Sequence, residues 1–412
     1  MKAITGAFST TSTPALEIES DLLPTELRLR KRVLSSALRL LTAPNNTEIS
    51  RCTRKAFKAT LGTPHMSNLE HLIQKYKLTP LETIKPFLTH PSWSLPVDTC
   101  IDSDKDIAEQ HHDAIFHAHT SNNVSFIYTD GSGLEGRTSA AAFSWTSKIA
   151  TTKFLGPITT STVFSGELEG INIALNQIPR DADSTKTYYI FSDSQAAIKA
   201  IRKPKRQSAQ FIIEEIIDQI GEIDKQTFKP KIVIQWVPAH CGILGNEAAD
   251  TAAKQAILRA DHTLAVQRPI LKAAKAMELA TTIKSEWDTR WIKYKRLKER
   301  HGEIKIIRGL QLYSGITKRQ HIAWLVRLRT GHCGLNKYLA RFRKIESPIC
   351  ECGWGHETVA HYLLVCSKYE EEREMLRSRA GEDGMKVEKL LGTKGLLKHT
   401  LEFVQATMRF SF

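Results

Sequence analysis

A chain of 412 residues is long enough for about two or three domains, and 41% hydrophobic with 25% charged residues is an ordinary globular composition able to bury a core. The net charge of +14, from 58 Lys and Arg against 44 Asp and Glu, favours a polyanionic partner because basic surface displaces phosphate counterions; a solvated basic surface with no partner is the alternative. No apolar run approaches the ~20 residues of a membrane span, polar residues interrupt the first thirty where a secretory signal needs a continuous apolar core, and seven scattered cysteines form no secreted disulfide framework. The expectation is an intracellular protein with no membrane association, nuclear or cytoplasmic; Lys203-Pro204-Lys205-Arg206 is basic, but such short runs are usually solvated surface.

Residues 1–96 form a first region, in which 22–93 carry Leu and Ile at helical spacing with Arg28, Arg30, Lys31 and Arg32 among them. Residues 97–123 are polar, with Asp102, Asp104, Asp106, Glu109, His111, His112, His117 and His119 and few apolar side chains. They read as a linker whose histidines are solvated rather than metal-bound.

Residues 124–256 alternate strand and helix texture. A strand over 126–129 runs into Asp130-Gly131-Ser132-Gly133, read as a turn. Strands over 141–145 and 151–155 are close enough to form a meander with it. Phe164, Leu168, Ile171, Leu175 and Ile178 then recur at three or four residues, the spacing of an amphipathic helix. A strand at 188–191, helices at 195–201 and 209–223, a strand at 231–237 and a helix opening near Asn246 complete an α/β pattern, a five-stranded mixed sheet with flanking helices. Residues 257–412 are mostly helical and basic: Trp287, Trp291, Tyr294 and Leu297 share a helix face, with Lys293, Lys295, Arg296, Lys298 and Arg300 nearby.

Four acidic residues fall where such a sheet gathers a site. Asp130 ends the first strand, Glu167 lies in the first turns of the following helix, Asp193 ends the fourth strand and Asp250 sits on the last helix. Together they would repel one another unless cations lay between them. A donor set of hard oxygens suits Mg²⁺, and two such ions ~4 Å apart can serve an in-line displacement at phosphorus. Any one of them alone is better explained as a cap or solvated charge, and Asp130 as a turn residue.

Ile127-Tyr128-Thr129-Asp130-Gly131-Ser132, Gly166-Glu167-Leu168, Phe191-Ser192-Asp193-Ser194-Gln195-Ala196-Ala197 and Trp236-Val237-Pro238-Ala239-His240-Cys241-Gly242-Ile243-Leu244-Gly245-Asn246-Glu247-Ala248-Ala249-Asp250 occur in this order. They resemble the ordered motifs of type 1 ribonuclease H, over about a third of the chain. The resemblance implies a ribonuclease H-like fold, an RNA–DNA hybrid as partner and hydrolysis of its RNA strand. It implies two Mg²⁺, with Mn²⁺ as a substitute, held by Asp130, Glu167, Asp193 and Asp250, and products with 5′-phosphate and 3′-hydroxyl ends. His240 matches the family's mobile histidine, which assists proton transfer or product departure.

Substrate contacts are expected at Gly131, Ser132, Thr162, Ser194 and Asn246, through 2′-hydroxyl recognition near the first strand and first helix. Thr162 falls where the family places a DNA-phosphate contact, while Asn246 and Glu247 fit the helix-opening part of the motif in a supporting role. Val163 and Phe164 stand where cellular enzymes carry polar Asn, and Pro238 where some carry a basic residue. The basic handle is reduced to Arg202, Lys203, Lys205 and Arg206. These departures bear on hybrid affinity more than on chemistry.

Cys350-x-Cys352, His361 and Cys366 make a full tetrahedral set for a structural Zn²⁺, although a one-residue spacing is tighter than the common two. Four reduced residues without metal are the alternative, and His332, Cys333 and His356 could substitute as ligands. This run, with Leu328-Arg329-Thr330-Gly331-His332-Cys333 and Tyr338-Leu339, resembles the tail following ribonuclease H in fungal-type non-LTR retrotransposon polyproteins. Leu23-Pro24 and His90-Pro91-Ser92-Trp93 resemble the connection after their polymerase. No Asp-Asp dipeptide is present, so the Tyr-x-Asp-Asp signature of a reverse transcriptase is absent. The resemblance implies the carboxyl-terminal portion of such a polyprotein, with a reverse transcriptase or other retroelement proteins as partners. The rival functions are a non-catalytic nucleic-acid-binding remnant, DNA-strand cleavage of the integrase or resolvase kind, and a scaffold built on the cysteine cluster.

Overall fold

The computed structural model describes residues 1–60, 66–86, 94–118, 123–179, 184–227, 229–260, 268–298 and 309–410. His119, Arg300 and the His90-Pro91-Ser92-Trp93 motif lie outside the described residues, as do the side chains of Tyr294, Lys295, Arg296, Leu297 and Lys298. The chain falls into two compact units, one of 32–281 and one of 1–31 with 282–412. Before the sheet come helices α1 (Lys2–Thr5), α2 (Thr13–Glu19), α3 (Thr25–Leu41), α4 (Glu48–Thr60) and α5 (Asn68–Tyr76). Helix α5 opens on a capping box: Ser67 Oγ accepts from Glu70 N at 3.2 Å, and Glu70 Oε2 accepts from Ser67 N at 2.8 Å.

The unit of 32–281 is organised by strands β1 (Asp98–Cys100), β2 (Val124–Leu134), β3 (Arg137–Ser144), β4 (Ile149–Pro157), β5 (Thr187–Ser192) and β6 (Lys231–Trp236), in the spatial order β1-β6-β5-β2-β3-β4. β2, β3 and β4 form an antiparallel meander, and β1, β6, β5 and β2 run parallel. Helices α6 (Lys105–Ala118), α7 (Val163–Asn176), α8 (Gln195–Arg202), α9 (Gln210–Asp224) and α10 (Leu244–Arg259) flank it, and α11 (Lys272–Lys298) follows. This is the expected ribonuclease H-like α/β architecture with one correction: the sheet has six strands, not five.

The sixth strand comes from the stretch that reads as a linker. That stretch contributes β1, paired to β6, and the whole of α6. Its composition is misleading because few of its side chains need to be apolar. Ala108 and His112 are buried, and His112 Nε2 bonds the Tyr128 hydroxyl at 2.9 Å. His112 is therefore a packed residue, its ring edge-on to Phe191 at 4.9 Å.

Period-two alternation along β2 separates two cores. Ile127 joins Ile190, Ile232 and Ile234 against Leu168, Ile171 and Leu175 of α7 and Ile212, Ile213 and Ile216 of α9. Phe126 and Tyr128 face the other way with Phe191, Val237, Ile243 and Ala249, where Phe116 and Trp145 add aromatic cover. Ala140, Ala141 and Ala142 of β3 are fully buried, Ala140 and Ala142 within the first of these cores.

In the second unit, α12 (Gly309–Leu312), α13 (Arg319–Thr330), α14 (Asn336–Arg341), α15 (Glu370–Ala380), α16 (Val387–Gly392) and α17 (Lys394–Ala406) confirm the helical expectation. Trp324, Leu325, Leu328, Tyr362, Leu363, Leu390 and Phe403 are core residues there. Arg329, part of the tail motif, is buried and donates from Nε to both oxygens of Glu19, at 2.9 and 3.1 Å, and from Nη1 to Leu391 O at 2.5 Å. A charge this far from water is stable only with such partners.

Candidate active site

The residues 130–133 do not form a turn. β3 pairs with β2 as far as Leu134↔Arg137, so the strand continues and the hairpin turns at Glu135 and Gly136, both at positive φ. The pairing of β2 with β5 stops earlier, at Thr129↔Ser192. Asp130 and Asp193 are thus the first residues beyond the last parallel pair, side by side where the two strands part.

Glu167 reaches them because glycine occupies both sides of the contact. A Cβ on Gly131 would stand 2.2 Å from Glu167 N, and one on Gly166 would stand 2.6 Å from Ser139 O. No real side chain fits at either point, so the first turn of α7 rests directly on β2. The Gly131 N–H donates to the Glu167 carboxylate. Ligand oxygens of Asp130, Glu167 and Asp193 all lie within 4.8 Å of one another.

Asp250, on α10, lies close enough to raise the pKa of all three, and its Oδ2 accepts from Lys254 Nζ at 2.7 Å. The structure therefore gathers three of the four expected carboxylates into one tight group and places the fourth beside them in an ion pair. Lys254 is a participant that sequence analysis did not single out, although its i+4 spacing from Asp250 on a helix is a legible signal.

The electrostatics are those of anions lacking a counter-charge. Burial, then Asp193 and Asp250, push the Asp130 carboxyl up to about 7. Burial, then Asp193 and Asp130, hold Glu167 well above the usual carboxylate range. Asp193 is raised mainly by burial, against a hydrogen bond from Asn246 and the charge of His240. Asp130 Oδ2 and Glu167 Oε2 are out of solvent with no hydrogen-bond partner. Buried carboxylate oxygens left unpaired are costly, and a divalent cation among them supplies both the missing partner and the missing charge. The donor set therefore fits a hard metal ion.

The remaining expected residues divide by what already occupies them. Asn246 Nδ2 donates to Asp193 Oδ2 at 3.4 Å, so it orients that carboxylate. Thr162 is the N-cap of α7 in a reciprocal box with Ser165, at 3.2 and 3.0 Å. Ser194 caps α8 through Ala197 N at 3.3 Å. Ser132 is buried on β2 two residues beyond Asp130. His240 is exposed in the loop from β6 to α10 at φ 59°, beside Asp193.

In the second unit, Cys350, Cys352, His361 and Cys366 come together with all four ligand atoms within 4.8 Å. The Cys350 and Cys366 sulfurs are 3.6 Å apart, and Cys352 Sγ is 3.3 Å from His361 Nε2. Bonds of about 2.3 Å to sulfur and 2.0–2.1 Å to nitrogen give a tetrahedron with edges of about 3.8 Å (S–S) and 3.5 Å (S–N), which these distances approach. Gly353 and Gly355, at φ 79° and 105°, turn the chain between the first pair and the histidine. Cys350 N donates to Gly355 O at 2.8 Å. Of the alternates, Cys333 and His332 belong elsewhere: Cys333 is buried in the core, and His332 Nδ1 bonds Thr10 Oγ1 at 3.2 Å.

A family model described as RNase H matches residues 122–258. The match spans strands β2 to β6 and helices α7 to α10, and it contains all four carboxylates and His240.

Proposed function

With a ribonuclease H domain at its centre, this chain is, we propose, an endonuclease that hydrolyses the RNA strand of an RNA–DNA hybrid, leaving 5′-phosphate and 3′-hydroxyl ends. The observation that carries this is the trio Asp130, Glu167 and Asp193, with two buried oxygens lacking any partner. Asp130, Glu167, Asp193 and Asp250 would hold two Mg²⁺, with Mn²⁺ able to substitute. Such ions, when bound, polarise the scissile phosphate and make water acidic enough to attack it.

The chain's own residues do the rest. Asn246 fixes the rotamer of Asp193. Lys254 holds Asp250 in an ion pair at 2.7 Å. His240, exposed on its loop beside Asp193, would carry a proton at its imidazole to the leaving 3′-oxygen. Gly131, Ser132, Thr162 and Ser194 would contact the hybrid through backbone and hydroxyl groups, the kind of donors that read a 2′-hydroxyl.

The test is cleavage of a labelled hybrid in Mg²⁺ by wild type, by Asp130→Asn and in EDTA. Metal-dependent cutting of RNA alone, reduced by about 10²–10³-fold or more in the variant, is the expected outcome. A folded wild type that binds hybrid without cutting it would leave a non-catalytic binder. Cutting of duplex DNA would place the chain with integrase-like enzymes.

The Cys350, Cys352, His361 and Cys366 group fits Zn²⁺ as a closed structural site. Metal content measured on wild type and on Cys366→Ser should differ by one zinc. The resemblance of this region also supports derivation from a non-LTR retrotransposon polyprotein with a polymerase partner, and the ordered acidic motifs support residues 124–256 as the catalytic domain. Co-purification with a separately encoded reverse transcriptase would test the partnership.

A further inference from the structure

Residues 98–111 hold a cluster that the nuclease does not use. Cys100 ends β1, Asp102 follows in the link to α6, and His111 stands on α6. Their ligand atoms lie within 4.8 Å of one another: His111 Nδ1 is 3.3 Å from each oxygen of Asp102, Cys100 Sγ is 3.7 Å from Asp102 Oδ1, and Cys100 Sγ is 4.0 Å from His111 Nδ1.

An ion pair accounts for His111 and Asp102 alone. The Cys100 thiol, at the end of a strand, faces both partners and donates to Asp102 Oδ1 at 3.7 Å, so all three side chains converge on one point. A tetrahedral Zn²⁺ with one sulfur, one nitrogen and one oxygen ligand has edges of about 3.5 Å to sulfur and about 3.4 Å between nitrogen and oxygen. The observed 3.7, 4.0 and 3.3 Å describe one face of that tetrahedron, slightly opened at the sulfur. Three different donors converging this way suit a borderline-soft cation and not Mg²⁺, which takes oxygen.

We propose that Cys100, Asp102 and His111 form a second Zn²⁺ site with three protein ligands and a fourth position open to water. His111 is 43% exposed and Asp102 13%, so the ion has an entry path and its open position faces solvent. The site ties β1 to α6. β1 is a three-residue edge strand, too short to hold its place by hydrogen bonds alone, and Cys100 pairs with Gln235 of β6, one residue before Trp236. Trp236 Nε1 in turn donates to Asp193 O at 3.1 Å. The clip therefore braces the strand that leads into the His240 loop.

The test reads Cys100 itself, so that zinc at the carboxyl-terminal cysteines does not interfere. Full-length protein is stripped with chelator, given Zn²⁺ or none, and labelled with iodoacetamide, and each cysteine is quantified by peptide mass spectrometry. Zinc should slow labelling of Cys100 by about tenfold or more, while exposed Cys52, outside the metal-type clusters among the described residues, reacts equally in both. Asp102→Asn, which keeps the side chain's shape, and His111→Ala, at an exposed position, should each return Cys100 to its zinc-free rate. Equal labelling of Cys100 with and without zinc, or protection that survives both substitutions, overturns the site.

Discussion

Asp130 shows most directly how one residue ties chemistry to stability. Its carboxyl titrates at about 7 in the folded protein, above the 3.8 of a free aspartate. A group raised in this way contributes stability that is fully present below the unfolded value and is lost as pH rises through the folded one. The metal-free protein should therefore melt at higher temperature at pH 5 than at pH 8, by at least ~2 °C. Mg²⁺ at pH 8 should restore the loss, and Asp130→Asn should flatten the pH dependence; thermal melts with EDTA and with Mg²⁺ decide this. Gly131 is the steric counterpart. Gly131→Ala drives a methyl to 2.2 Å from Glu167 N, so α7 must move, at a cost of about 1–3 kcal/mol and with loss of cleavage. Gly221→Ala, on α9 with nothing within 4 Å, should be neutral or stabilising by up to ~1 kcal/mol.

Helices α9 and α11 begin on a carboxylate from far upstream. Glu82 is buried, and its oxygens accept from Ala209 N at 2.8 Å and Lys272 N at 2.7 Å, with Ser208 Oγ as a further donor. One side chain thus caps the start of both α9 and α11, where unpaired N–H groups and the helix dipole favour an anion. Glu82→Ala should cost about 2 kcal/mol, one cap's worth at each helix. Urea denaturation of the full chain followed by α9 and α11 signals would detect it, and an unchanged midpoint would show the caps to be dispensable. Helix α6 makes a similar point. His112→Phe keeps the ring packing on Phe191 but drops the bond to Tyr128, so it should destabilise the chain less than His112→Ala does.

Across the whole molecule, the boundaries of the ribonuclease H domain matter for any experiment on it. Glu169 is fully buried and its carboxylate is held by Arg268, at 2.8 and 3.2 Å, and by Lys153. A fragment of 124–256 removes Arg268, the Glu82 cap and the aromatic cover from α6. Removing one partner of a buried pair typically costs ~3–5 kcal/mol, so that fragment should be poorly folded. A fragment of 32–281, the compact unit, should fold and cut hybrid in Mg²⁺. Circular dichroism and cleavage of the two fragments side by side separate these outcomes. For the full chain, the net charge of +14 predicts hybrid binding that weakens as salt rises, each phosphate contact steepening the slope.

The amino-acid sequence alone determined the centre of this protein. The spacing of strand and helix texture, the order of the acidic motifs and the Cys and His pattern of the tail are local in the chain, and local order survives into the fold. The positions of Asp130, Glu167 and Asp193 were legible for that reason. What the tertiary structure decided were the relations between distant segments. Composition hid β1 and α6, because a short edge strand and a helix anchored by Ala108 and His112 need few apolar residues. Asp130-Gly131-Ser132-Gly133 has turn chemistry, yet β3 pairs alongside and keeps it extended. Glu82, Arg268 and the Cys100 cluster carry no periodicity at all. Their contacts arise only when a carboxylate, a guanidinium or a thiol meets partners brought by other segments, and for Glu82 and Glu169 burial makes those meetings obligatory.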